Sequence, residues 1–112
     1  MKKWKIEYYT TEAGHVPVRD FIDDMPIKAK AKTFHTFVLI EEYGPLVGEP
    51  HVKYLEKGLW EIRISALEGI YRLMFTTVKG KIIILLHGFQ KKSQKTPLGE
   101  LRTARARLRE VK

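Results

Sequence analysis

The chain has 112 residues, 44% hydrophobic and 30% charged, with a net charge of +8 and no cysteine. That suffices for one domain with a modest core, expected over residues 1–112, and it excludes disulfides, thiolate catalysis and cysteine-based zinc sites. No apolar run approaches the roughly 18–20 residues of a membrane span. Met1-Lys2-Lys3-Trp4-Lys5 is not followed by an apolar signal segment, so a cytoplasmic protein is expected.

Trp4-Lys5-Ile6-Glu7-Tyr8-Tyr9 alternates and reads as a strand. Pro17 suits the first position of a helix, and Val18, Phe21, Ile22 and Met25 give that helix an apolar stripe. Pro26 starts a second helix. Its expected buried face is Ile27, Ala31, Phe34 and Val38, and Gly44-Pro45 stops it. Apolar segments follow at roughly His51–Leu55, Leu59–Ser65, Ile70–Val78 and Ile82–His87, with Gly58, Gly69 and Gly80 in the gaps, a pattern that predicts an antiparallel meander. Ile82 to Leu86 is apolar on both faces, which predicts an interior strand. Thr96-Pro97 predicts an N-cap followed by Pro at N1. Leu98, Leu101, Ala104 and Leu108 line one side of a final helix whose other side is arginine. The order β-α-α-β-β-β-β-α is an α+β architecture, with helices packed on a small, mainly antiparallel sheet.

The charge is unevenly placed: Gly88 to Lys112 holds eight Lys/Arg and two acids, a net of +6. Such asymmetry suggests a polyanionic partner, the alternative being a solvated basic helix end. Turn lengths suggest where these charges meet others. A four-residue Ala66–Gly69 loop sets Ser65 opposite Ile70 and Arg63 opposite Arg72. A two-residue Lys79-Gly80 turn sets Val78 opposite Lys81 and Arg72 opposite His87. Arg63, Arg72 and His87 then form one row on one face. Like charges directly opposed destabilise a sheet, and a bound phosphate removes that penalty. The structural alternatives are that an arginine pairs with Glu61 or Glu68, or that a bulge shifts the register. A three-residue loop Glu56-Lys57-Gly58 sets His51 opposite Arg63 and Lys53 opposite Glu61, whereas a two-residue loop sends both to the other face. Beyond His87, Lys91, Lys92 and Lys95 form a basic segment before a helix N-terminus. Phe89 either stacks on a base or plugs the core beneath the last helix.

Other chemistries find little support. His15, His35, His51 and His87 have no metal-ligand spacing, there is no phosphate-binding glycine loop or nucleophile elbow, and Ser65 and Ser93 lack a triad pattern. No metal or cofactor is implied. RNA cleavage needs none: the 2′-hydroxyl attacks the neighbouring phosphate while the protein orients the strand, stabilises charge and moves protons.

Pro17-Val18-Arg19-Asp20-Phe21, Pro50-His51-Val52-Lys53, Gly58-Leu59-Trp60-Glu61-Ile62-Arg63, Ile70-Tyr71-Arg72 and the run Leu86 to Pro97 resemble the phage-derived, HigB-type branch of the RelE toxin superfamily. The resemblance covers nearly the whole chain. It implies a type II toxin that cuts messenger RNA in the ribosomal 30S A site. It also implies a cognate antitoxin, often with a helix-turn-helix, held in a toxin–antitoxin hetero-oligomer. The residues matching the family's catalytic basic positions are Arg63, Arg72 and the Lys91/Lys92 segment. No Tyr or His follows His87, so the general base is left among His87, His51, Glu61 and a lysine. The expected catalytic set is Arg63, Arg72, His87 and Lys92, with His51, Lys53, Phe89, Lys91, Lys95, Arg102, Arg105 and Arg109 gripping RNA. The superfamily also holds ParE-like proteins that poison gyrase, and a non-catalytic RNA-binding regulator is a further alternative.

Overall fold

The computed structural model describes residues 3–91 and 96–112. β1 (Lys5–Tyr8) leads into α1 (Pro17–Asp23), α2 (Ile27–Tyr43) and a 3-10 turn (Gly44–Val47). β2 (Val52–Glu56), β3 (Leu59–Ala66), β4 (Gly69–Val78), β5 (Ile82–Lys91) and α3 (Leu98–Val111) follow. The fold is α+β in the expected order. Short hairpins join β2 to β5 as an antiparallel meander, in the sheet order β1-β5-β4-β3-β2. β1 lies parallel to β5, with Ile6 opposite Ile83. Parallel pairing requires a long connection, and here everything from α1 to β4 lies between the two strands. β5 is therefore interior, with Ile83, Leu85 and Leu86 buried. No helix among the described residues is long and apolar enough to cross a membrane.

Proline sets all three helix starts. Pro17 occupies the first turn of α1, whereas Pro26 and Pro97 occupy the N-cap positions of α2 and α3, with ψ of 151° and 145°. Thr96 is thus not the cap: the proline stays extended and the helix begins one residue later, without a side-chain cap. Gly44 closes α2 with φ of 61°, and the Trp4 ring packs where a Cβ would stand.

Two cores flank the sheet. Ile62, Ile64, Leu73, Phe75, Ile83 and Leu85 pack against Val18, Ile22, Ala29, Phe37 and Ile40 of the first two helices. On the opposite face Leu59, Met74, Leu86 and Phe89 pack against Ala104, with Leu101 and Leu108 alongside. Burying each large aliphatic contributes about 1.5–3 kcal/mol.

The second helix corrects the sequence reading. Its buried residues are Ala29, Thr33, Thr36, Phe37 and Ile40, while Ile27 is 86% exposed and Phe34 and Val38 are also exposed. The threonine hydroxyls bond back along the helix, Thr33 to the Ala29 carbonyl and Thr36 to the Lys32 carbonyl, both at 2.9 Å. Once satisfied locally, these small polar side chains let the helix approach the sheet closely.

Close approach also explains Gly88 on β5. A Cβ there would stand 2.6 Å from Phe21 Cδ2 and 3.0 Å from Leu73 Cδ2. Gly88→Ala is expected to destabilise the fold by about 1–3 kcal/mol. Urea unfolding checks this, and an unchanged midpoint would show that α1 yields freely.

Candidate active site on the sheet face

Directly opposed residues share a face. Arg63 stands opposite Arg72, and Glu61 opposite Met74. β5 carries Phe89 opposite Arg72, His87 opposite Met74 and Lys91 opposite Ile70. All of these point to the face that α3 partly covers. Lys53 joins them opposite Glu61, and the Arg63 amide donates to the His51 carbonyl at 2.9 Å.

The row of Arg63, Arg72 and His87 is not formed. Val78 pairs with Ile82 rather than Lys81, and a bulge at Leu86 separates the pairs Phe75–Leu85 and Met74–His87. Each irregularity shifts the register by one residue. Together they shift it by two, which keeps His87 on its face but moves it away from Arg72. His87 instead meets α3: its Nε2 lies 2.6 Å from Glu100 Oε1, and Arg107 NH1 lies 3.4 Å from its Nδ1. Phe89 takes the place opposite Arg72 and is only 6% exposed. It is a core residue beneath the last helix, not an exposed platform for a base. Lys53 does face the site, and His51 stands beside Arg63 at the strand edge, but by a different route. The turn is the two-residue Lys57-Gly58, and a bulge between Tyr54 and Glu56 restores the register that a three-residue loop would have produced.

At the centre sits Glu61, with its side chain fully buried. Its carboxylate accepts hydrogen bonds from Arg72 NH1 at 3.1 and 3.3 Å. Arg63 Nε approaches the same carboxylate at 3.4 Å, an ion-pair contact without hydrogen-bond geometry. Arg72 is 1% exposed and the Arg63 side chain 18% exposed. Glu49, an exposed residue, reaches Arg63 NH1 from outside at 4.0 Å. Lys91 is 6% exposed, and its Nζ has no hydrogen-bond partner among the described residues. Burial pushes the Lys91 ammonium below the usual lysine value. Arg72 pushes the same way, Glu61 opposes, and Arg63 and Lys53 add to the depression. Four basic side chains thus gather at one buried carboxylate, so the cluster keeps a positive excess and an amine that gives up its proton more easily than an ordinary lysine. Oxyanion binding and proton transfer are the two things such a group can do.

The remaining candidates fall elsewhere. Arg105 donates to Glu56 at 2.9 and 2.7 Å and holds that carboxyl below its ordinary value. Arg107 donates to the Leu86 carbonyl at 2.8 Å and lies over the Tyr9 ring at 5.2 Å. Arg102 and Arg109 are exposed on α3. Lys92 and Lys95 lie outside the described residues.

A family model described as phage-derived protein Gp49-like (DUF891) matches residues 20–109. The chain belongs to the phage-derived Gp49-like family. This family is toxin-like and related to RelE and HigB. The span matched to the Gp49-like model contains Glu61, Arg63, Arg72 and Lys91. A search of curated proteins found no match.

The pairing of an arginine with Glu61, weighed above as the structural alternative, is what forms, and Glu61 takes both Arg72 and Arg63. Lys91 as the perturbed amine of the Gp49-like site was not read from the sequence. The alternation His87, Phe89, Lys91 was a usable signal. Gly88 and Gln90 obscured it by resembling a loop, yet β5 runs on to Lys91 because β4 supplies partners from Ile70 onward.

Proposed function

We propose that this Gp49-like chain is the toxin of a type II toxin–antitoxin pair and cleaves messenger RNA on the ribosome. One observation carries the reading: four basic side chains surround a single buried carboxylate on a largely dry sheet face. A folding-only design avoids such an excess, and an RNA phosphate neutralises it. Arg63 holds the scissile phosphate, and Arg72, buried behind it on Glu61, adds its positive charge to stabilise the charge that develops. Glu61 keeps the two guanidiniums in place. Lys91, in its deprotonated form, takes the proton of the attacking 2′-hydroxyl, and the 5′-oxygen of the next nucleotide leaves and takes a proton from water, producing a 2′,3′-cyclic phosphate. The exposed Arg102 and Arg109 contact ribosomal RNA, and an antitoxin blocks the site in the cytoplasm.

The test is 5′-end mapping of messages in a purified translation system. New ends opposite cyclic-phosphate fragments are expected, and ribosome binding should weaken as salt rises. Intact messages at saturating protein would overturn the reading, and DNA breaks on induction in cells would redirect it to gyrase.

A further inference from the structure

Just beyond the cation cluster the sheet edge opens. β2 pairs with β3 as far as Val52 opposite Ile62, and the Arg63-to-His51 backbone bond of 2.9 Å follows. β3 itself continues to Ala66. α2 approaches this stretch, and Lys32 Nζ donates to the Ser65 carbonyl at 2.6 Å. A pocket of about 270 Å3 results, with Lys32, His35, Pro50, His51, Arg63 and Ser65 among its lining residues. A smaller hollow of about 160 Å3 continues it past Pro50, Arg63 and Ser65 to Ile70.

We infer that this pocket is a nucleotide subsite, which receives the RNA nucleotide next to the scissile phosphate. The inference rests on the RNA-cleaving reading above and extends it. The lining carries a lysine, an arginine and two histidines, and no carboxylate. The bond to the Ser65 carbonyl holds the Lys32 charge at the pocket, and Arg63 also lines it, so a phosphate entering there meets cationic donors. The imidazoles of His35 and His51 offer flat surfaces on which an unstacked base can lie, with the apolar Pro50 ring beside them. A volume below the roughly 300–1,000 Å3 of drug-sized sites suits one base rather than a larger ligand. Arg63 belongs to both the cluster and the pocket. A strand held at the cluster therefore reaches the pocket by turning round the open sheet edge beside Arg63.

The experiment titrates the full 15N-labelled chain with a trinucleotide carrying a 2′-deoxy sugar at the attacking position, which blocks cleavage. Shifts are expected at His35, His51 and Ser65 together with Arg63, Arg72 and Lys91. Lys32 and His35 are exposed, so Lys32→Ala with His35→Ala keeps the fold. The double variant should bind about tenfold more weakly. Shifts confined to the cluster, or unchanged affinity in the double variant, overturn the subsite and leave the cleavage reading standing. Shifts confined to the pocket uphold a nucleotide site and count against the cluster. No response in either region overturns both.

Discussion

Lys91→Met is expected to abolish message cleavage while leaving the fold at least as stable as the parent. Loss of a general base lowers the rate by about 10²–10⁴-fold, readable as single-turnover cleavage on programmed ribosomes. Stability should move the other way. A lysine 6% exposed, whose Nζ lacks a hydrogen-bond partner among the described residues and which stands beside Arg72 and Arg63, is an unfavourable tenant of a folded protein. Met fills a similar volume without charge, so the change should be neutral or stabilising by up to roughly 2 kcal/mol. The pH dependence follows from the same cause. Lys91 binds its proton less tightly in the folded chain than in the unfolded one. Its destabilising contribution is present in full below the folded pKa and is relieved as pH rises through that value towards the unfolded one. Lys91→Met should lack that slope. Cleavage by the parent should rise with pH over the approach to the folded pKa, because the neutral amine is the reactive form. Lys91→Arg, which keeps a charge, should be inactive throughout. A Lys91→Met protein that cuts at the parental rate would remove this residue from the chemistry. A loss of several kcal/mol would show it to be a structural ion partner instead.

Glu61→Ala should show the largest stability loss of any change at the site, about 3–5 kcal/mol. Its fully buried carboxylate accepts from Arg72 at 3.1 Å and meets Arg63 at 3.4 Å. Deleting it removes the carboxylate that both guanidiniums share in a poorly solvated position. Glu61→Gln retains an acceptor of the same shape but not the charge, and an intermediate loss of about 1–3 kcal/mol is expected. Cleavage should fall in both variants, since the guanidiniums lose the group that sets their spacing. Guanidinium chloride unfolding with both substitutions measures the effect. If Ala and Gln leave the midpoint unchanged, the carboxylate is not what holds the pair.

Particular residues show how far pattern reading extends. Arg63 and Arg72 could be paired because the Ala66–Gly69 hairpin is regular, and parity carries a register along a strand without error. His87 could not be placed, because an added loop residue and a bulge at Leu86 are each invisible in hydrophobic alternation. Lys53 was placed opposite Glu61 on an assumed loop, and two compensating irregularities preserved the outcome. The second helix misled for a different reason. Ile27, Phe34 and Val38 form an apolar stripe, yet the sheet takes the face of Ala29, Thr33, Thr36, Phe37 and Ile40. Close packing favours small side chains, and a threonine whose hydroxyl is satisfied by its own helix is effectively apolar.

The sequence by itself determined the order of elements, the antiparallel meander, the opposed arginines and the basic character of the C-terminal end. These depend on local periodicity, turn residues and composition, which act over a few neighbours. Tertiary structure alone decided that Glu61 binds both arginines, that Lys91 is buried among cations, and that His87 and Phe89 belong to the α3 side. Each of those outcomes depends on desolvation and on contacts between distant segments, and neither quantity is encoded at any single position.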